Sequence, residues 1–342
     1  NDPKFNEKFS PLCKLSKNLY NSSIYEIRQS FFGHFEKNEE LRKEIYSLLK
    51  YKPEGYQTKI YKLLDDHFRQ SKNEDYINLP GQSSQQTIKL ATDAWFSNEQ
   101  SREDYDKHPE KRKDYTGKPG ICGYKTTEES IMIFTNQQCH VERKEKFDER
   151  GLHDLKPKRI IKNYLTFPSD LKIPDIMTRL PISKSKGGIL DIRHIRIIPL
   201  KIGYNVEIVY KKVISERKKQ MIEEFRELSQ NRFGGIDLGV NNIMAIVNNI
   251  GKNPILIKNG IIKSINQWFN KVLSMLLSTY MRQQGFKGEY SKGIPVKMGK
   301  KFKILSQNRS NFIKDAFHKL SRFVLRYFYI NKIGTIAIGL NK

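Results

Sequence analysis

The sequence predicts an α+β multidomain protein: a helical region, then a small β-barrel or sheet, then a mixed α/β domain. Three observations carry this expectation. Apolar residues recur at helical spacing up to about residue 105. The composition then turns rich in Pro, Gly and Lys over 108–125, and short strand-like runs follow it. From residue 233 the order becomes three turn-separated strands, a helix, a longer helix and a last strand. The expected domains are 1–107 (helical, with an N-terminal strand segment), 108–214 (β-rich) and 215–342 (α/β).

Pro3 and Pro11 read as breaks, and the first helical pattern starts near Leu12. Leu19, Tyr20, Ile24, Ile27, Phe31 and Phe32 recur at spacings of three and four, which marks a helix. Further helices are expected over 39–50, 56–70 and 83–105, the last capped by Ser83 or Ser84. Strand-like runs cover 131–136, 163–168, 192–200 and 204–212. In the last of these, Tyr204, Val206, Ile208 and Tyr210 share a face. A charged, partly helical connector spans 215–232. An antiparallel meander follows, with strands opening at 233, 243 and 254. Helices over 263–285 and 306–331 flank a basic linker at 286–300, and a strand at 335–339 ends the pattern.

Lys and Arg number 62 against 37 Asp and Glu, a net charge of +25. Such a surplus repels itself unless a polyanion is present. The charge is spread along the chain, which argues for nucleic acid and against a membrane anchor, where it would cluster beside an apolar helix. A generally basic proteome is the plainer account. Nineteen Phe and 17 Tyr exclude a disordered chain. Cys13, Cys122 and Cys139 are far apart and odd in number, so neither a disulfide framework nor a zinc site is expected, and a reducing, cytoplasmic setting fits. No apolar run nears the roughly 18 residues of a membrane span. No signal peptide opens the chain. An initial Asn and an ending just after a strand read as a piece of a longer protein.

The segment 235–242 (GIDLGVNN) holds the first chemical signal. Alternation points Ile236 and Leu238 one way and Asp237 the other. A carboxylate buried there costs several kcal/mol unless it is paired or metal-bound. Divalent cations held by carboxylates activate water and stabilise a leaving oxygen in phosphodiester cleavage. The alternative is an Asp237 that caps a turn or ends a strand in solvent.

Residues 234–247 (GGIDLGVNNIMAIV) resemble the first motif of the RuvC-like nuclease domain in the TnpB (OrfB) family of insertion-sequence proteins. Residues 260–276 and 308–339 resemble the segments that follow in that family, including the D-x-x-H-K-x-S-R core of its long helix at Asp315–Arg322. Residues 14–32, 83–95 and 115–125 also look like it. The resemblance implies a transposon-encoded, RNA-guided DNA endonuclease, related to type V CRISPR effectors and formerly described as a transposase. It implies a helical recognition lobe, a wedge β-barrel and a partial RuvC (RNase H-like) domain. Implied partners are a guide RNA and a double-stranded DNA target, in a prokaryotic, nucleoid-associated setting. The implied cofactor is Mg2+ or Mn2+.

By position Asp237 matches the first catalytic and metal-binding acid. The family's second acid falls at Gly339, and no acid lies within 332–342. Its third acid and zinc-binding cysteines lie downstream. The chain as it stands is therefore expected not to cleave DNA, and the alternatives are a nuclease-dead RNA-guided DNA-binding repressor or an RNA-binding accessory.

Other residues carry two readings each. Lys111, Arg112, Lys113, Tyr115, Lys118, Tyr124 and Lys125 mix base-stacking rings with phosphate-neutralising cations, and the plainer reading is a solvated loop. Lys184, Lys186, Arg193 and Arg196 form a second candidate RNA contact or simple surface charge. Arg322, with His318 one turn back, faces nucleic acid or solvent opposite a core stripe of Phe312, Ala316, Leu320 and Phe323. Asn241 and Asn242 are expected in a turn, and Trp95 and Trp268 in the core.

Overall fold

The computed structural model describes residues 3–112, 117–147, 159–211, 229–283 and 299–339, with 220, 223 and 285 as isolated positions. The contacts divide the chain into two compact units, Asn1–Lys212 and Val213–Lys342.

The first unit opens with α1 (Pro3–Phe31). Helices α2 (Glu39–Tyr51), α3 (Tyr56–Gln70), the short α4 (Glu74–Ile77) and α5 (Gly81–Lys107) follow. The expected strand segment and break at the N-terminus are not formed; Pro11 lies inside α1. A proline there forfeits one helical hydrogen bond and costs about 3 kcal/mol. Burial of Phe9, Leu12 and Cys13 around it offsets that cost. Nor do Ser83 or Ser84 cap α5. The helix starts two residues earlier, after Pro80, and the hydroxyls donate to Gln138 Oε1 (3.2 Å) and the Gly81 carbonyl (2.8 Å).

Six strands complete this unit: β1 (Met132–Thr135), β2 (His140–Phe147), β3 (Arg159–Thr166), β4 (Ile176–Thr178), β5 (Asp191–Pro199) and β6 (Tyr204–Lys211). They form two antiparallel three-stranded sheets, β1-β5-β6 and β2-β3-β4. Both are open, so the described residues close no barrel. One core joins helices to sheets: Ile24, Ile27 and Trp95 belong to the same cluster as Phe134, Val141 and Ile195. Tyr204, Val206 and Ile208 pack on that cluster, while Tyr210 at the strand's end is 39% exposed.

The second unit holds β7 (Ser229–Asp237), β8 (Asn242–Asn248), β9 (Ile255–Lys258), α6 (Gly260–Gln283), α7 (Lys300–Ile330) and β10 (Ile333–Gly339). The expected meander forms, and β10 joins it parallel to β7, giving the order β10-β7-β8-β9. Helix α7 packs on one face through Val324 and Phe328 against Ile236 and Ile246. Gly234 makes this possible: a Cβ there would lie 2.3 Å from the Phe328 ring. The buried stripe of α7 is therefore Val324 and Phe328, with Leu320 and Tyr327 partly buried beside them. Phe312 and Phe323, expected in the core, are 41% and 47% exposed. Trp268 is likewise 55% exposed, whereas Trp95 is buried as expected. Most of the 215–232 connector and the 286–298 linker lie outside the described residues. No described helix is long and apolar enough to cross a membrane.

Candidate functional site

Asp237 is the last residue of β7, an inner strand of its sheet. Its cross-strand partner on β8 is Ala245, and on β10 it is Gly339. The expectation of a buried carboxylate is not met: Asp237 is exposed. The reason is the alternation itself. Ile236 turns into the core under α7, and Asp237 turns to the opposite face, where Gly339, Ala245 and Leu256 are its neighbours along the register. Gly339 leaves room beside the acid; a Cβ built there would sit 3.5 Å from Asp237 Oδ1, an ordinary contact.

The turn after β7 is tied to the start of α6. Lys263 Nζ donates to Asn241 Oδ1 (3.1 Å), and Asn259 donates to the carbonyls of Asn241 (3.0 Å, from its backbone N–H) and Val240 (2.8 Å, from its side chain). Asn241 lies in this turn and Asn242 opens β8. Among the described residues no group of three His, Cys, Asp or Glu side chains converges. A divalent ion wants six or more oxygen ligands, with carboxylates to balance its charge. One exposed Asp beside a Gly does not make such a site, so the described residues do not fit the implied metal.

The 117–125 loop is held from three sides. The Asn21 side-chain amide donates to the Lys125 carbonyl (3.1 Å) and accepts from its N–H (2.8 Å). Asn98 does the same to Gly120 and Cys122, both at 2.9 Å. Arg28 donates to the Cys122 carbonyl at 2.7 Å. Its guanidinium also lies over the rings of Tyr124 (5.3 Å) and Phe32 (5.8 Å). Tyr124 is 44% exposed.

Lys125 behaves otherwise. Its Nζ sits 3.8 Å from the Tyr20 ring centroid and donates to Ser130 Oγ at 2.5 Å, and burial holds its pKa below the usual lysine value. Lys118 pairs with Asp106 at 2.7 Å. Lys113, Tyr115 and the side chains of Lys111 and Arg112 lie outside the described residues.

The second basic group is interleaved with acids. Lys184 and Arg193 approach Asp191 (3.9 and 3.5 Å), Lys186 approaches Glu142 (3.8 Å), and Arg196 pairs with Glu207 (3.1 Å). Arg322 is exposed on α7. The sequence reading missed Arg28 and Tyr25, and took Phe32 only as an apolar helix position, whereas it is 49% exposed. Their signal was the spacing of three and four from Tyr25 to Arg28 to Phe32, a row that runs beside the buried Ile24 and Ile27 to the end of α1.

A fold of helices and two open sheets in one unit, with an α/β sheet in the other, has a solved counterpart. The cryo-EM structure of the Cas12f1–sgRNA–target DNA complex matches 96% of this chain and 64% of its own, at 14% identity and a TM-score of 0.50. That of a CRISPR–Cas12f ternary complex matches 98% and 63%, at 14% identity and a TM-score of 0.27. The chain thus spans just under two thirds of the length of either. The first likeness gives the fold class. Residues 216–342 match the OrfB_IS605 model, described as probable transposase, which is the family whose motifs this part of the chain resembles. No curated protein matches the chain.

Proposed function

We propose that the parent of this chain is a transposon-encoded, RNA-guided DNA-binding protein and endonuclease of the TnpB type. The observation that carries the reading is the OrfB_IS605 match across 216–342 together with Asp237 at the C-terminal end of the inner strand β7. The solved complex that shares the fold carries an sgRNA and target DNA. A net charge of +25 suits a protein that grips two nucleic-acid backbones while base pairing reads the sequence. On this reading 1–107 is the recognition lobe, 108–214 the wedge and 215–342 the nuclease domain. Phosphodiester cleavage in the parent uses Mg2+ or Mn2+, and the acids that join Asp237 come from outside the described residues. The present chain binds without cutting.

The second reading is a nuclease-dead, RNA-guided DNA-binding repressor. Gly339 in the register position beside Asp237 favours it.

The test uses the parent protein purified with its co-expressed RNA. It receives Mg2+ and a plasmid library with the guide-matched target beside randomised flanks. Cleavage that disappears in Asp237→Ala is the expected result. Guide-dependent binding without cleavage, unchanged by that substitution, selects the repressor. No guide-dependent binding at all rejects both.

A further inference from the structure

An open pocket of about 430 Å3 lies where α1, the end of α3 and the 117–125 loop meet. That volume is within the ~300–1,000 Å3 usual for small-ligand sites. Its lining is polar with aromatic edges. Asn21, Ser22 and Tyr25 come from α1, His67 and Ser71 from the end of α3, and Tyr124 from the loop. Glu26 also reaches it, but its carboxylate is neutralised by Arg42 at 2.7 Å, so the pocket does not repel an anion.

We propose that this pocket takes an unpaired base of a single nucleic-acid strand, stacked on Tyr124. The inference rests on the reading of the protein as a nucleic-acid binder, and adds a site which that reading does not specify.

Three features carry it. The first is rigidity. Tyr124 sits in a loop clamped by two side-chain amides and is backed by the Arg28 guanidinium, which Phe32 supports from a second side. Tyr25, exposed by 41%, is backed in the same way by Arg42, at 5.4 Å. A ring fixed before the ligand arrives loses little entropy on stacking, and base–aromatic stacking tolerates any base.

The second is the pattern of hydrogen-bonding capacity. Asn38 gives an amide N–H to Glu26 (3.0 Å) and turns no oxygen to any described residue. Asn73 uses its oxygen to accept the Tyr76 N–H (3.1 Å), and its NH2 meets none. Both line the pocket, so these two amides add an acceptor and a donor to the hydroxyls of Ser22, Tyr25 and Ser71. Base edges carry both donors and acceptors to meet them. The third is charge: a chain of +25 draws a polyanionic strand to its surface, and the ring then selects an unstacked base on it.

The test titrates the full 342-residue chain into 12-mer single strands, RNA in one arm and DNA in the other, each with a central 2-aminopurine. Stacking quenches that base. The expected result is quenching in at least one arm, and the arm identifies the strand. Tyr124→Leu then abolishes quenching and weakens binding roughly 5- to 150-fold, while Tyr124→Phe retains both. Ser71 is exposed at the rim, so Ser71→Trp fills the pocket without touching the loop clamps and blocks quenching too. Quenching that survives Ser71→Trp, or survives Tyr124→Leu in a variant that melts like the parent, overturns the proposal. So does binding of both strands with no quenching. No guide is needed, so failure of the guided-nuclease reading would leave this result standing, and the reverse.

Discussion

Asp237 and Gly339 form a pair in which one member is chemically silent. They are register partners on parallel strands, and a Cβ at 339 meets Asp237 Oδ1 at no closer than 3.5 Å. A longer side chain there lies on the acid's side of the sheet. Gly339→Glu should therefore set a second carboxylate next to the first. Two like charges at that distance repel, and a divalent cation relieves them. The variant should melt lower than the parent without metal and regain the loss in millimolar Mn2+. Manganese binding followed by electron paramagnetic resonance should rise with Gly339→Glu and vanish again when Asp237→Ala is added. A gain of binding that ignores Asp237 would show that the two positions do not converge.

At the scale of elements, the contact between β7 and α7 is set by the absence of one side chain. Phe328 is almost fully buried and its ring occupies the space a Cβ at Gly234 would take, 2.3 Å away. Gly234→Ala forces the ring or the helix to move, at about 1–3 kcal/mol for overpacking. Phe328→Leu in the same chain should recover part of that loss, because the smaller side chain clears the methyl; urea unfolding of the two single variants and the double variant measures the coupling. Strictly additive effects would place the strain elsewhere.

Helices α2 and α3 and the meander were legible because their apolar periodicity is strong; α5, with a less marked apolar face, packs chiefly on α1 far back in the chain. Strand β2 was not: in HVERKEKF only Val141 reaches the core among its described side chains, and backbone pairing with β3 from His140↔Thr166 to Phe147↔Arg159 holds the rest. Helix α6 misled for the opposite reason. It is apolar on several sides, with Phe269 and Met281 buried but Ile261, Trp268 and Met275 exposed, so periodicity could not say which face turns inward. The face Asp237 turns to was readable from alternation; the end of β7 at Asp237, which leaves Leu238 exposed outside the strand, was not. Arg28 was not, because its role depends on a loop about a hundred residues away folding back onto α1.

The whole molecule divides unevenly between its two units. Among the described residues, 27 buried apolar side chains form the core of Asn1–Lys212, and helices and both sheets contribute to it. Seven form that of Val213–Lys342. The second unit also leaves Phe233, Val247, Leu256, Trp268, Phe312 and Ile338 at least 41% exposed. Burial of apolar area drives folding at about 25 cal/mol per Å2, and the smaller core must meet a similar entropic cost per residue. The two units should therefore differ when expressed apart. Residues 1–212 should fold alone, with a single cooperative melt followed by circular dichroism. Residues 213–342 should keep helical signal but melt broadly and bind an apolar dye such as ANS, the behaviour of a chain with secondary structure and loose packing. A sharp melt without dye binding for 213–342 would mean that its core extends well beyond the residues described. A non-cooperative 1–212 would mean that its single core depends on the rest of the chain. Either result would change which segment a nucleic-acid-binding assay should use: if 1–212 folds alone, it carries the Tyr124 pocket and can be titrated without the Asp237 sheet.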